Sequence, residues 1–267
     1  MSRGRDRVSY FMISRHRRCF YRAVTYAGYL GVLTGVRLVV VPLFPCWITH
    51  VFMNMSREGL SISFNYRERL KSESTLFENR IHHLLLLLGQ KPSIASKLRQ
   101  VLLSPEPVPT LQELASKFKK MKTSSCYLIF CTPSEVLVME KDLKSAVVRT
   151  SEQFLAVTNH DADMEAWSPE HWQEMLAKKH ILEVSGARGI VEESVERKEC
   201  LCNLWRLKGV EPVSVDDLKL WLRKHPIRNE LTHFSCIMDP SVKGGGLVWV
   251  ESCDLRESSS CYNVNYC

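Results

Sequence analysis

The sequence contains no dinucleotide-type glycine fingerprint, no phosphate loop, no CxxC pair and no internal repeat. These absences remove the sequence grounds for a Rossmann domain, a P-loop enzyme, a zinc ribbon or a solenoid. No uninterrupted apolar stretch follows the first arginines, so no conventional signal peptide is visible. Acidic residues are nearly missing from the first eighteen positions: Arg3, Arg5, Arg7, Arg15, Arg17 and Arg18 face a single Asp6 and supply most of the net charge of +7. The remaining body is close to neutral, which gives little reason to expect a nucleic-acid groove. Residues 1–18 read as a basic unstructured leader. With 45% apolar and 24% charged residues, the chain is neither disordered, collagenous nor a polytopic membrane protein. Its 267 residues suit one large domain or two small ones at about 150 residues each.

The ten cysteines are too few for a disulfide scaffold at this length. Cys126 and Cys131 flank an apolar run, Cys200 and Cys202 fall in a helical pattern, and Cys253, Cys261 and Cys267 crowd a Cys-rich tail over 253–267. His233 and Cys236 add candidate ligands, but the spacings are not those of a metal site, so neither a metal nor a cofactor is expected. The spacing leaves the redox compartment undecided. Residues 38–55 are apolar for about the minimum length of a bilayer span, yet they contain Pro42, Pro45 and His50 between flanking Arg37 and Arg57. A single-pass membrane-associated protein is therefore one reading.

From residue 60 the pattern is regular. LSISFN (60–65) alternates as a half-buried strand, Glu73 to Gly89 reads as an apolar helix ending at glycine, and 94–103 has a helical period closed by Pro105, Pro107 and Pro109. Thr110 and Glu113 form a capping box that opens another helix. Four short strands follow at 125–131, 136–141, 145–150 and 154–159, and the pattern predicts one antiparallel meander. Helices return after Ser168-Pro169 and Ser214, and strands close the chain at 230–238 and 246–252. This order gives an α+β fold rather than a doubly wound one.

The densest polar cluster is Thr158-Asn159-His160-Asp161. His160 and Asp161 have the chemistry of an acid–base pair, and Asn159 that of an oxyanion donor. Asn and Asp are equally the residues of a plain turn. His82 and His83 are adjacent and point to different sides of a helix, which makes them poor joint ligands.

YRAVTYAGYLGVLTG (21–35), GLSISFN (59–65), SCYLIFCTPSEVLVMEKD (125–142), FLAVTNHD (154–161) and THFSCIMDP (232–240) occur in that order. Together they resemble acid ceramidase and the N-acylethanolamine-hydrolysing acid amidases, in collinear order from about Tyr21 to Pro240. The resemblance implies an αββα N-terminal-nucleophile hydrolase fold, here incomplete, and hydrolysis of the amide bond of ceramide or an N-acylethanolamine by a cysteine thiol whose own α-amino group is the base. It implies that Asn159 is the oxyanion-hole asparagine, that Arg197 in ESVERKEC matches the family's site arginine, and that Asn65 matches the asparagine following the first motif.

In that family the nucleophilic cysteine lies well upstream of the AGY motif and is followed closely by an arginine–aspartate pair. Cys19 lies too near the motif and has no such pair after it. The chain thus reads as truncated, lacking its nucleophile and inactive alone, with a lipid amide as substrate and a missing N-terminal half or α-subunit as partner. Leu38–Glu58 reads as a foreign apolar insertion within a ceramidase-like portion spanning 19–252. The competing reading is a noncatalytic lipid-binding protein that touches a membrane surface. The family is lysosomal or secreted, but the sequence itself does not assign a compartment, nor does it separate ceramide from N-acylethanolamine.

Overall fold

A computed structural model describes residues 8–15, 18–26, 34–37, 59–67, 74–104, 106–177, 187–229, 232, 234–242 and 246–252. Side chains are described from Gly59 onward, except at Tyr66, Leu176, 187–192 and Ser252. Two compact units result. The first comprises Met1–Phe64, Glu73–Leu155 and Met238–Val250, and the second Asn65–Ser72, Ala156–Ile237 and Glu251–Cys267.

The first unit is built on a seven-stranded sheet in simple chain order, β1 (Val8–Arg15), β2 (Arg18–Tyr26), β3 (Thr34–Arg37), β4 (Leu60–Tyr66), β5 (Cys126–Cys131), β6 (Val136–Lys141) and β7 (Ala146–Ser151). The segment read as an unstructured leader therefore contains a strand. Val8–Arg15 contains the β-branched and aromatic residues Val8, Tyr10, Phe11 and Ile13 and pairs antiparallel with β2, with a register shift between Ile13 and Ser14. Arg37 and Leu60 are register partners across β3 and β4, so Leu38–Glu58 connects two adjacent strands. That insertion and the Cys-rich tail lie outside the described residues. No helix among the described residues is long and apolar enough to cross a membrane.

β5, β6 and β7 form an antiparallel meander closed by two tight turns, in which the Thr132 N–H donates to the Glu135 carbonyl and the Asp142 N–H to the Ser145 carbonyl, both at 2.9 Å. The expected fourth strand at 154–159 does not form. The ladder stops at Ser151, and the Asn159 N–H donates to a side chain instead of a strand carbonyl.

Three helices, α1 (Leu76–Leu87), α2 (Ile94–Leu103) and α3 (Leu111–Lys120), lie between β4 and β5 in the chain, and the last two pack on the sheet. Leu98, Leu102, Leu114 and Phe118 on the last two form one core with Leu60 and Ile62 of β4, Leu128 and Phe130 of β5, and Leu137 and Met139 of β6. Phe118 and Phe130 meet with ring centroids 5.3 Å apart. α1 has the opposite polarity. Its buried residues are Asn79 and His82, whereas Phe77, Leu84 and Leu87 are exposed. Asn79 is held by hydrogen bonds, its Nδ2 donating to Ser74 Oγ at 2.8 Å and Ser74 Oγ in turn to Asp142 Oδ1 at 3.4 Å, whereas neither ring nitrogen of His82 has a hydrogen-bond partner among the described residues. Gly59, at the entry to β4, is required by close approach, since a Cβ there would stand 2.1 Å from the Pro240 carbonyl oxygen.

α3 starts where its capping box lies in the sequence. The Glu113 N–H donates to Thr110 Oγ1 at 3.2 Å, and the Thr110 N–H donates to Glu113 Oε2 at 2.8 Å. Thr110→Ala is expected to lower stability by about 1 kcal/mol without changing the fold, as measured by urea unfolding with circular dichroism.

The second unit contains a 3₁₀ turn (Ala162–Ala166), α4 (Pro169–Ala177), α5 (Ala187–Lys208) and α6 (Val215–Arg223). Their starts follow the sequence signals. Ser168 Oγ accepts from the His171 N–H at 3.3 Å, and Ser214 and Asp217 form a reciprocal capping box. Strands β8 (Phe234–Met238) and β9 (Leu247–Ser252) make a two-stranded sheet.

Candidate functional site

The second unit gathers the polar residues singled out in the sequence. Thr158 to Asp161 run as a bend rather than a ladder strand, and each of the four side chains is engaged. Arg197, on α5, donates through an Nη to Asn159 Oδ1 at 2.9 Å. Glu193, one turn earlier on α5, accepts from Arg197 at 3.2 Å and from Asn229 Nδ2 at 2.6 Å, so the guanidinium is fixed from two directions. Burial lowers Arg197 from its ordinary pKa, with Glu193 and Glu196 acting in the other sense. Arg197 holds the Asn159 carbonyl oxygen and so fixes which way the side-chain amide faces.

His160 and Asp161 do not form the acid–base pair expected from their adjacency. The Asp161 carboxylate is taken by Arg67 in a two-pronged, buried ion pair, Nε to Oδ1 at 2.6 Å and an Nη to Oδ2 at 2.5 Å. The His160 ring turns elsewhere: its Nδ1 lies 2.7 Å from Ser194 Oγ and 3.2 Å from Thr158 Oγ1. Its Nε2 is buried without a hydrogen-bond partner, and the ring stands edge-to-face with Trp172 at 6.0 Å. The physical reason is competition. A guanidinium fork satisfies both carboxylate oxygens at once, which one imidazole nitrogen cannot do.

Burial is the largest cause that pushes His160 down from 6.5 to about 4; Lys198 and Arg197 add to it, and Glu165 and Asp161 oppose it. The ring is neutral at physiological pH. An unfolded chain binds a proton at this histidine below about pH 6.5 and the folded one does not, so the unfolded state gains protons as pH falls. The stability from keeping His160 neutral is complete above pH 6.5 and is lost on descending to about 4. At roughly 1.4 kcal/mol per pH unit the expected loss is about 3 kcal/mol. Urea unfolding at pH 7 and pH 4.5 should show it, with a flatter dependence for His160→Asn. His82 acts in the same sense: burial first, then Lys91, His83 and Lys141, hold it below its ordinary value.

Asn65 is exposed near the end of β4, and its side chain is not among the hydrogen-bond partners described for Asn159 or Arg197. Cys19 lies on β2, where only the backbone is described. Three of the described thiols are poor nucleophiles. Burial pushes Cys131 up and Cys236 to about 11, and Cys126 is part of the core. Cys200 is disulfide-bonded. His82 is buried while His83 is exposed and bonds Ser124, so the two do not converge. Among the described residues no group of three or more His, Cys, Asp or Glu is placed to hold a metal. His233 lies outside them.

Two residues of the cluster, Arg67 and Ser194, were not picked out from the sequence. Arg67 sits two positions beyond Asn65 with nothing local to mark it. Ser194 is one serine in a charged helix.

No family model and no curated protein matches the chain by sequence. The chain is a mixed α/β body with antiparallel sheets, and its fold is like that of a solved amidase. Among the solved structures it is similar to is the N-acylethanolamine-hydrolyzing acid amidase ortholog of Caenorhabditis elegans, with a TM-score of 0.61, 18% identity, and coverage of 92% of this chain and 87% of that one. At that identity the likeness is one of fold.

Proposed function

We propose that this chain is the body of an amidohydrolase that acts on the amide bond of a long-chain lipid amide, a ceramide or an N-acylethanolamine. The observation that carries the reading is the Arg197 to Asn159 hydrogen bond of 2.9 Å, which commits the Asn159 carbonyl and presents its amide as a preoriented donor. Such a donor stabilises the oxyanion that develops when a nucleophile attacks an acyl carbonyl. The shared fold with an N-acylethanolamine-hydrolysing amidase supports the choice of reaction class.

In this reading a thiolate sulfur adds to the carbonyl carbon, the C–N bond breaks as the amine leaves with a proton, and water then hydrolyses the thioester. The attacking thiol is assigned to a separate N-terminal portion, as the resemblance to the acid amidases implies, and the core thiol of Cys126 and the raised thiols of Cys131 and Cys236 are unsuited to the role. Hydrolysis of a fluorogenic long-chain N-acyl amide tests this, using the full chain alone and with the N-terminal half of a related amidase added in trans. Turnover is expected only in the second case. Turnover by the chain alone that disappears on Cys19→Ala overturns the placement of the thiol, and no turnover under either condition overturns the amidase reading.

A further inference from the structure

We infer that Ser194 and His160 are positioning residues that clamp the Asn159 donor to helix α5. The inference rests on the reading of Asn159 as the oxyanion donor. It begins with hydrogen counting at Ser194, which is fully buried. Its oxygen accepts the Asn159 backbone N–H at 2.6 Å, and its other partner is His160 Nδ1 at 2.7 Å. A serine hydroxyl has one hydrogen to give. The oxygen can accept twice, but among the described residues Nδ1 is the acceptor within reach of that one hydrogen, so the hydrogen goes to Nδ1, the bare nitrogen of a neutral ring. The ring proton then sits on Nε2, the atom that has no hydrogen-bond partner and belongs to a ring standing edge-to-face with Trp172.

Residue 159 is thereby held twice by one helix. Ser194 grips its backbone and Arg197, three residues on, grips its side chain. A helix brings residues three apart onto one face, so both grips come from the same side. Thr158 adds a third tie through its contact with His160 Nδ1 at 3.2 Å. The clamp depends on an uncharged ring, because a protonated Nδ1 would donate to Ser194 and leave the serine hydrogen without its acceptor. The charged and titratable groups facing His160 are Lys198 and Arg197 of α5, Glu165 of the 3₁₀ turn and its neighbour Asp161. Lys198 and Glu165 also pair with each other.

The test needs no turnover. Laurate presents a carboxylate oxygen where an oxyanion would lie, and its binding to the full chain at pH 7 is followed by the NMR signals of the Asn159 side-chain amide and the His160 ring nitrogens. Wild type is expected to bind, with a shift of the Asn159 amide and a ring protonated at Nε2. Ser194→Ala is expected to weaken binding about fivefold, the size of one neutral hydrogen bond, to broaden or move the Asn159 amide signal, and to release the ring tautomer. His160→Phe, which keeps a ring against Trp172, should move the same signal. Thr110→Ala, a comparable loss of stability in the other unit, should leave laurate affinity unchanged and so separates positioning from general destabilisation.

Wild-type affinity in Ser194→Ala, with binding weakened by Asn159→Ala, overturns the clamp and leaves the donor reading standing. Wild-type affinity in Asn159→Ala, or no binding of laurate by the wild type, overturns the donor reading and the clamp with it.

Discussion

Arg67→Ala is expected to cost about 3–5 kcal/mol of stability, the largest loss from any single polar substitution in this chain. Arg67 is 7% exposed and Asp161 is 3% exposed, and the guanidinium fork meets both carboxylate oxygens. Truncating the arginine removes two charge-assisted hydrogen bonds and strands a carboxylate out of water, and the second effect is the larger. Asp161 also leads into the 3₁₀ turn, where its carbonyl accepts from the Met164 N–H at 3.1 Å, so its displacement disturbs the chain on both sides. Arg67→Met combined with Asp161→Leu should recover most of the loss, because paired apolar side chains of similar volume carry no desolvation penalty. Urea unfolding of the two singles and the double gives the coupling directly. Single losses below about 1 kcal/mol would place the pair among solvent-screened ones.

The second large effect is chemical. In the enzyme assembled with its thiol-bearing portion, Asn159→Ala is expected to lower kcat by about 10²–10³ with KM little changed, as for loss of one oxyanion donor. The split follows from where the donor acts: it meets charge that exists in the transition state and not in the ground-state amide. Arg197→Ala should produce a smaller fall in kcat, since Arg197 works through Asn159 by accepting the task of holding its carbonyl. A rise in KM at constant kcat for Asn159→Ala would assign the residue to uniform substrate binding instead.

Local signals carried much of the architecture. The capping box at Thr110, the strand at Leu60, the meander strands at Cys126, Val136 and Ala146, and the Ser214 box all stand where residue pattern placed them, because each is decided by neighbours a few positions away. Pattern was weakest where a distant partner intervened. Residues 154–159 have the composition of a strand, yet the Asn159 N–H is claimed by Ser194, 35 residues on. Val8–Arg15 has an arginine-rich setting that suits a solvated leader, yet a neighbouring strand pairs with it. The amphipathic period of α1 gave its existence but not its orientation, since Asn79 and His82, not the leucines, face inward.

The site divides along the same line. The residue types Thr158, Asn159, His160 and Asp161 were determined by sequence alone, and with them the available chemistry of a donor amide, a neutral imidazole and a carboxylate. Which group serves which partner was decided only by the tertiary structure. Arg67 reaches Asp161 across 94 residues of chain, and Ser194 reaches His160 across 34. In a buried site each donor takes the acceptor that geometry offers, and adjacency in the chain gives no priority in that competition.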